Sequence, residues 1–248
     1  MIIHRNGVTL VMNTVDLNEV KNFYNATPEI WAADDQWHQW SLGQIQGYLN
    51  GITFSSQDSV LNAGSGGNSY NISCGEMVHV DVAEKKLEGI PNAVVSSVES
   101  MPFPDARFDS IVCVGSVINY CDAGAVIAEF SRLSKPGAVL VLEFENSGGF
   151  EYRKKACYKE SATVVTVQFQ GSAHTQWLYS VPYIKSLLKA HHFSIQDIFP
   201  YHICSSLALS LNGQEEKSVK FAKFDALARR IPPLAAHANN CIIRCSRS

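Results

Sequence analysis

Val60-Leu-Asn-Ala-Gly-Ser-Gly-Gly67 is an apolar run ending in a Gly-x-Gly-Gly turn, and Met77-Val-His-Val-Asp81 is the next apolar run, closed by an acid. Glycine turns a chain sharply after a strand and lets backbone approach a ligand with no Cβ in between. A carboxylate at the end of the following strand can take both hydroxyls of a ribose. Strand, glycine turn and carboxylate one strand later describe the nucleoside-binding edge of an α/β sheet. The turn alone fits a plain tight turn as well as a cofactor loop, so the downstream sequence decides between them.

Met101-Pro-Phe-Pro-Asp-Ala-Arg-Phe-Asp109 leads into the apolar Ser110-Ile-Val-Cys-Val-Gly115, and Leu133-Ser-Lys-Pro-Gly137 leads into Ala138-Val-Leu-Val-Leu-Glu143. With these elements in order, residues 58–145 resemble the class I S-adenosylmethionine-dependent methyltransferases, in the branch similar to the quinone-biosynthesis enzymes. The resemblance weakens over the C-terminal third, and the first 50 residues share only general character. It implies an α/β, Rossmann-like fold with a seven-stranded, mostly parallel sheet, helices on both faces and an N-terminal helical lid. The implied cofactor is S-adenosylmethionine, and the implied activity is methyl transfer.

The rest of the chain is consistent with that plan. Strands are expected near 59–63, 77–81, 93–97, 109–115 and 138–144, with an extra one at 163–170 and the last two at 193–201 and 240–247. Helical spacing of apolar residues marks 123–134 and 182–191, and 212–237 reads as helical up to Ile231-Pro-Pro. Alternating strands and helices imply a parallel sheet. Upstream, 17–24 and 36–49 read as amphipathic helices, so residues 1–57 form the expected lid or substrate cap, lying across the carboxyl edge of the sheet, and 58–248 the core. Only thirteen residues lie between Gly67 and Asp81, which leaves room for a turn or two in place of a full helix before the second strand.

At 248 residues with 46% apolar content, the chain suits one domain with a sizeable core. A net charge of −3 argues against nucleic acid as the main partner. Arg153-Lys154-Lys155 reads as a solvated face. The seven cysteines are scattered without a framework or zinc-like spacing, so no metal and a reducing, cytoplasmic setting are expected. No apolar stretch is long enough to span a bilayer, and the first residues lack the pattern of a signal peptide.

Residue by residue, the resemblance places Gly64, Ser65, Gly66 and Gly67 under the methionine part of the cofactor. Asp81 takes the ribose, Val82 flanks the adenine, and Ser97 and Val98 meet the adenine edge. Two positions depart from the family pattern: Asn62 stands where an acid often bonds the cofactor's amino group, and Ser97 where an Asp is usual. Gly115 and Ser116 end the fourth strand beside the methionine portion, and Asn119 and Tyr120 are expected to face the reacting methyl group. Tyr120, His174 and His38 are the catalytic candidates, with Glu143 and Glu145 as further possible bases, one pointing to the cleft and the other away. His174 is placed in a loop that closes the pocket. Tyr24, Trp31, Trp37, Trp40 and Trp177 are either an aromatic wall for an acceptor or lid packing, with packing favoured.

The acceptor is expected to be a small or saccharide-linked molecule, O- or N-methylated. Two other readings stay open: a methyltransferase-like binding or scaffold protein without catalysis, motivated by Asn62, Ser97 and the clipped helix, and a nicotinamide-dependent reductase, whose glycine fingerprint is related.

Overall fold

The computed structural model describes residues 2–5, 8–11, 15–169 and 171–248. A short antiparallel pair, β1 (Ile2–Arg5) and β2 (Val8–Val11), precedes two helices, α1 (Leu17–Ala26) and α2 (Gln36–Leu49). Both helices begin on an aspartate that satisfies a free amide: Asp16 accepts from Asn18 N–H at 2.8 Å and Asp35 from His38 N–H at 3.1 Å.

The main sheet has seven strands. They are β3 (Ser59–Ala63), β4 (Glu76–Asp81), β5 (Ala93–Val95), β6 (Phe108–Cys113), β7 (Ser134–Glu145), β10 (Phe193–Tyr201) and β11 (Asn240–Arg247). Their spatial order is β10-β11-β7-β6-β3-β4-β5. The five strands from β7 to β5 run parallel, and β11 lies antiparallel between β7 and β10. The expected Rossmann-like α/β sheet is therefore present, closed by an antiparallel hairpin at one end. Strand order reverses between β3 and β6, which puts a ligand crevice beyond their carboxyl ends.

Period-two alternation sorts the strands' apolar residues to two faces. Leu61, Ile111, Leu140 and Ile243 pack with Ile127 and Phe130 of α3 (Ala123–Leu133) and with Ile184 and Leu188 of α4 (Val181–Ala190). Val60, Val112, Val141 and Ile242 pack on the other face with Ile45 and Leu49 of α2. Each such buried side chain contributes about 1.5–3 kcal/mol relative to exposure. This placement corrects one expectation. α2 is part of the sheet's covering layer, while α1 and the irregular 27–35 segment supply the described residues that roof the carboxyl edge.

As the short spacing implies, no helix occurs in 68–75, where turns alone connect the glycine loop to β4. The C-terminal part differs from the expectation in three places. Of the stretch 171–177, expected as a loop around His174, residues 172–177 belong to β9 (Ser172–Tyr179), which pairs in antiparallel fashion with β8 (Ala162–Phe169) as a hairpin outside the main sheet. The expected helical stretch 212–237 is broken into short turns, among them α6 (Glu215–Ser218), α7 (Asp225–Ala228) and α8 (Pro232–Ala235). It follows a helix with no counterpart in the sequence reading, α5 (Cys204–Asn212), which ends where Gly213 takes φ +68°.

Candidate active site

The glycine loop leaves β3 with φ of +70° at Gly64, and a side chain there would collide with Val117, at 2.3 Å from its Cγ1. The loop is held from the other strand as well. Gly64 and Ser65 N–H donate to Val80 O at 2.7 and 3.0 Å. Asp81, the last residue of β4, accepts from Gly66 N–H at 2.8 Å on one carboxylate oxygen and from Ala83 N–H at 2.9 Å on the other. Burial pushes the Asp81 carboxyl up, and the two backbone donors work against that shift. Each oxygen keeps a lone pair for a further donor. Gly64, Ser65, Gly66, Asp81, Val82, Ser97, Val98 and Gly115 line one cleft, the grouping the sequence implies.

Asn62 is not among the residues lining that cleft: it is buried, and its amide donates to Asn68 O at 2.7 Å, tying the loop together. Ser97 Oγ accepts from Glu99 N–H at 3.2 Å, and Glu99 in turn accepts from Asp122 N–H at 2.7 Å, at the start of α3.

The cleft is roofed by the N-terminal segment. Leu17, Val20, Tyr24, Ile30 and Trp31 line it from above, and a side chain at Gly66 would come within 2.4 Å of Ile30 Cδ1. The roof is pinned to the turn that follows Asp81. Lys86 Nζ donates to the carbonyls of Thr27 and Pro28, Lys21 pairs with Glu84 at 3.0 Å, and Asn25 donates to Glu84 at 3.0 Å. About 70 Å³ of space remains beneath it.

The residues fit S-adenosylmethionine: a buried acid with free lone pairs for a ribose, glycines that let the methionine part come close to the backbone, and Val82 and Val98 for a flat ring; the N–H groups of residues 64–67 themselves are engaged by Val80, Asp81 and Ser65. The remaining space is well below the roughly 300 Å³ at which small-molecule sites begin. Ile30 and Trp31 must therefore shift for an adenosyl group to enter.

Beyond Tyr120 lies a second cavity of about 920 Å³. It shares Tyr24, Ile30, Trp31, Gly115 and Tyr120 with the cleft. Ser116, Glu143 and Glu145 come from the strand ends, Trp37 and His38 from α2, and His174 and Gln176 from β9. Tyr120 OH and His174 Nε2 are 2.8 Å apart. Burial lowers the His174 imidazole, and its Nδ1 is buried with no hydrogen-bond partner among the described residues. His38 Nδ1 lies 2.7 Å from Asp35 Oδ2. Burial works to raise Asp35, but the hydrogen bonds and charge of His38 outweigh it and hold the carboxyl below its ordinary value.

Tyr120, His174 and His38 thus line one space. Glu143 and Glu145 both line it too, two residues apart on one strand, contrary to the expected split. Glu143 is fully buried; burial raises its carboxyl against donors from Ser116 N–H, Asn240 and Tyr201 at 2.6, 2.7 and 2.8 Å. Asn119 does not face a reacting group: it is fully buried and bridges Glu145 backbone and Trp177 O. Of the aromatic set, Tyr24, Trp31 and Trp37 line the cavity, whereas Trp40 and Trp177 do not.

The sequence reading missed Glu151, Tyr152, Gln176 and Asn239, all on the cavity wall. Glu151 and Tyr152 follow the turn that ends β7, so the carboxyl-end rule of parallel sheets was a usable signal for them. Gln176 and Asn239 had none, being placed by the hairpin and by β11. Among the described residues no group of three or more His, Cys, Asp or Glu side chains converges as a metal site would.

Residues 61–142 match the family model described as a methyltransferase domain. A ubiquinone/menaquinone biosynthesis C-methyltransferase of Shewanella halifaxensis is 42% identical over 62 residues, which is 25% of this chain and 25% of that protein. The match thus spans about a quarter of that relative's length. Among solved structures, the Burkholderia thailandensis 1,6-didemethyltoxoflavin-N1-methyltransferase with bound S-adenosylhomocysteine superposes with a TM-score of 0.54 at 14% identity, covering 93% of this chain and 86% of that one. The [4+2]-cyclase SpnF superposes with a TM-score of 0.58 at 15% identity, covering 96% and 97%. The cyclase shows that this fold carries more than one chemistry. The matched motif region, the sheet order and the gathering of the glycine loop with Asp81 agree: residues 61–142 match the methyltransferase domain, and the chain as a whole has the fold of the S-adenosylmethionine-dependent methyltransferases.

Proposed function

We propose that the chain transfers a methyl group from S-adenosylmethionine to a nitrogen or oxygen of a small or saccharide-linked acceptor bound in the larger cavity. The carrying observation is the junction: the cleft that ends on Asp81 and the 920 Å³ cavity meet at Gly115 and Tyr120. When bound, S-adenosylmethionine supplies a methyl group already activated on a sulfonium. The protein's work is alignment and exclusion of water. Asp81 receives the ribose hydroxyls, Gly64 and Gly66 bring backbone close to the methionine part, and Val82 and Val98 pack on the adenine. Tyr24, Ile30 and Trp31 close over the junction. Tyr120 and His174 stand where the acceptor meets the cleft. His174, kept neutral by burial, accepts the proton that an N–H or O–H acceptor gives up as its bond to carbon forms.

A second reading rests on one observation, the small space left beneath Ile30 and Trp31: the domain binds a partner or a fragment of the cofactor without turnover. Calorimetric titration with S-adenosylmethionine and S-adenosylhomocysteine, with NADPH as control, tests both. Micromolar binding of the first two and none of NADPH is expected. Release of S-adenosylhomocysteine with a panel of N-, O- and C-acceptors then separates catalysis from binding, and the carbon acceptors cover the reaction named for the quinone-biosynthesis relatives. Failure of both sulfur nucleosides to bind would overturn the proposal.

A further inference from the structure

The larger cavity carries its charge unevenly. Glu143, Glu145 and Glu151 all line it, and none of them forms an ion pair among the described residues. Their partners are neutral. Glu145 accepts from the Tyr152 hydroxyl and, at 2.5 Å, from the Gln176 amide. Glu151 accepts from the Ser206 hydroxyl and the Asn239 amide, and Glu143 from a backbone N–H, an amide and a phenol.

The basic side chains on the same wall do little to balance them. Lys155 is exposed, with its Nζ 5.0 Å from the Tyr152 ring centre, and His38 is engaged by Asp35. Glu143, Glu145 and Glu151 line the larger cavity and not the Asp81 cleft. Neutral donors hold a carboxylate in place without compensating its charge: burial raises the Glu143 carboxyl and pushes that of Glu151 up to about 7, and a cation seated among the three would favour their charged forms.

From this we infer that the acceptor is an amine that arrives as its ammonium ion. The inference rests on the methyl-transfer reading. Trp31, Trp37, Tyr120 and Phe169 line the same space, and aromatic faces add attraction for a cation where aligned. A neutral polyol would leave the carboxylate charge unanswered, and an anionic acceptor would be repelled by it.

The chemistry balances. The bound ammonium gives one proton to His174, which frees the nitrogen lone pair. That pair forms the N–CH₃ bond as the S–CH₃ bond breaks and its electrons stay on sulfur. The product is a methylammonium, a neutral thioether and a protonated His174, which returns its proton to solvent. The acceptor therefore enters and leaves as a cation, and the carboxylates hold it in both forms.

The test uses the full chain saturated with S-adenosylhomocysteine, titrated with matched pairs: tyramine against tyrosol, glucosamine against glucose, and 1,5-diaminopentane against 1,5-pentanediol. At least one amine should bind tenfold or more tightly than its neutral partner. Glu145→Gln and Glu151→Gln should each reduce that preference about tenfold while leaving S-adenosylhomocysteine binding intact. Because a buried carboxylate can matter for folding, Ser210→Lys, at an exposed position on the cavity wall, supplies a tethered ammonium and should weaken the amines selectively. Normal S-adenosylhomocysteine binding with no amine preference in any pair, or with no amine binding at all, overturns the inference. Failure of S-adenosylhomocysteine itself to bind would instead overturn the methyl-transfer reading.

Discussion

At Asp81 a carboxyl pushed up by burial is held by two backbone amides, one of them from the glycine loop it must cooperate with. Asp81→Ala removes both the ribose acceptor and the tie to Gly66, and should weaken S-adenosylhomocysteine binding tenfold or more by calorimetry. Normal binding by a folded variant would contradict the site. His202 matters to stability in the opposite chemical sense. It is fully buried, stacked on Trp37 at 3.9 Å and bonded to Ser41 and Ser205, and burial drives its imidazole from 6.5 down to about 3. Between those values the unfolded chain takes a proton that the folded one refuses. Stability therefore falls as pH drops through the window, by about 1.4 kcal/mol per pH unit at most. His202→Gln should flatten that acid slope in thermal melts, and an unchanged slope would show that other groups set it. At this scale the sequence was legible where backbone geometry demands a residue type, as at Gly64 and Asp81. It was not legible where one side chain can serve two neighbours. Asn62 stands at the family's acid position but spends its amide on Asn68, and Asn119 fastens β7 to β9.

Among the elements, α2 is the one whose role the structure changes. Its aromatic residues suggested a lid, yet Ile45 and Leu49 are as buried as any side chain of α3. Ile45→Ala should therefore cost about 2–5 kcal/mol in chemical denaturation, comparable to Ile127→Ala on the opposite face. A cost under 1 kcal/mol would return α2 to the status of a movable cap. The cap that does lie over the cleft is shorter, made of α1 and 27–35, and fastened through Lys86 and Glu84. The parallel strands were legible because burial on both faces leaves an unbroken apolar run. β9 was not, because it opens Ser-Ala-His-Thr-Gln with no apolar or β-branched run, whereas its partner β8 carries Val-Val-Thr-Val and was read as a strand. α5, with the sequence Cys-Ser-Ser-Leu-Ala-Leu-Ser-Leu-Asn, has little contrast between its faces, so periodicity could not mark it.

For the molecule as a whole, the sheet depends on β11. It is interior, paired with β7 on one side and β10 on the other, whereas β10 is an edge strand with an irregularity between Ile195 and Asp197. Proline cannot donate to a ladder and is tolerated only at edges and bulges. Ile243→Pro should abolish cooperative thermal unfolding, while Gln196→Pro, at the edge irregularity, should lower the melting temperature by only a few degrees. Equal damage from both would contradict the strand order. The overall architecture was readable from the alternation of strands and helices, while the cavity was not, since its walls come from segments far apart in the chain. β10 joins the sheet only through β11, and 38 residues, 202–239, separate the two. During synthesis on the ribosome, at about 5–20 residues per second, the β7 edge therefore stays unpaired for some seconds after β10 has emerged. In that interval its row of free amides and carbonyls is open to a chaperone or to a neighbouring nascent chain, so the yield of soluble protein depends on how quickly translation delivers one strand.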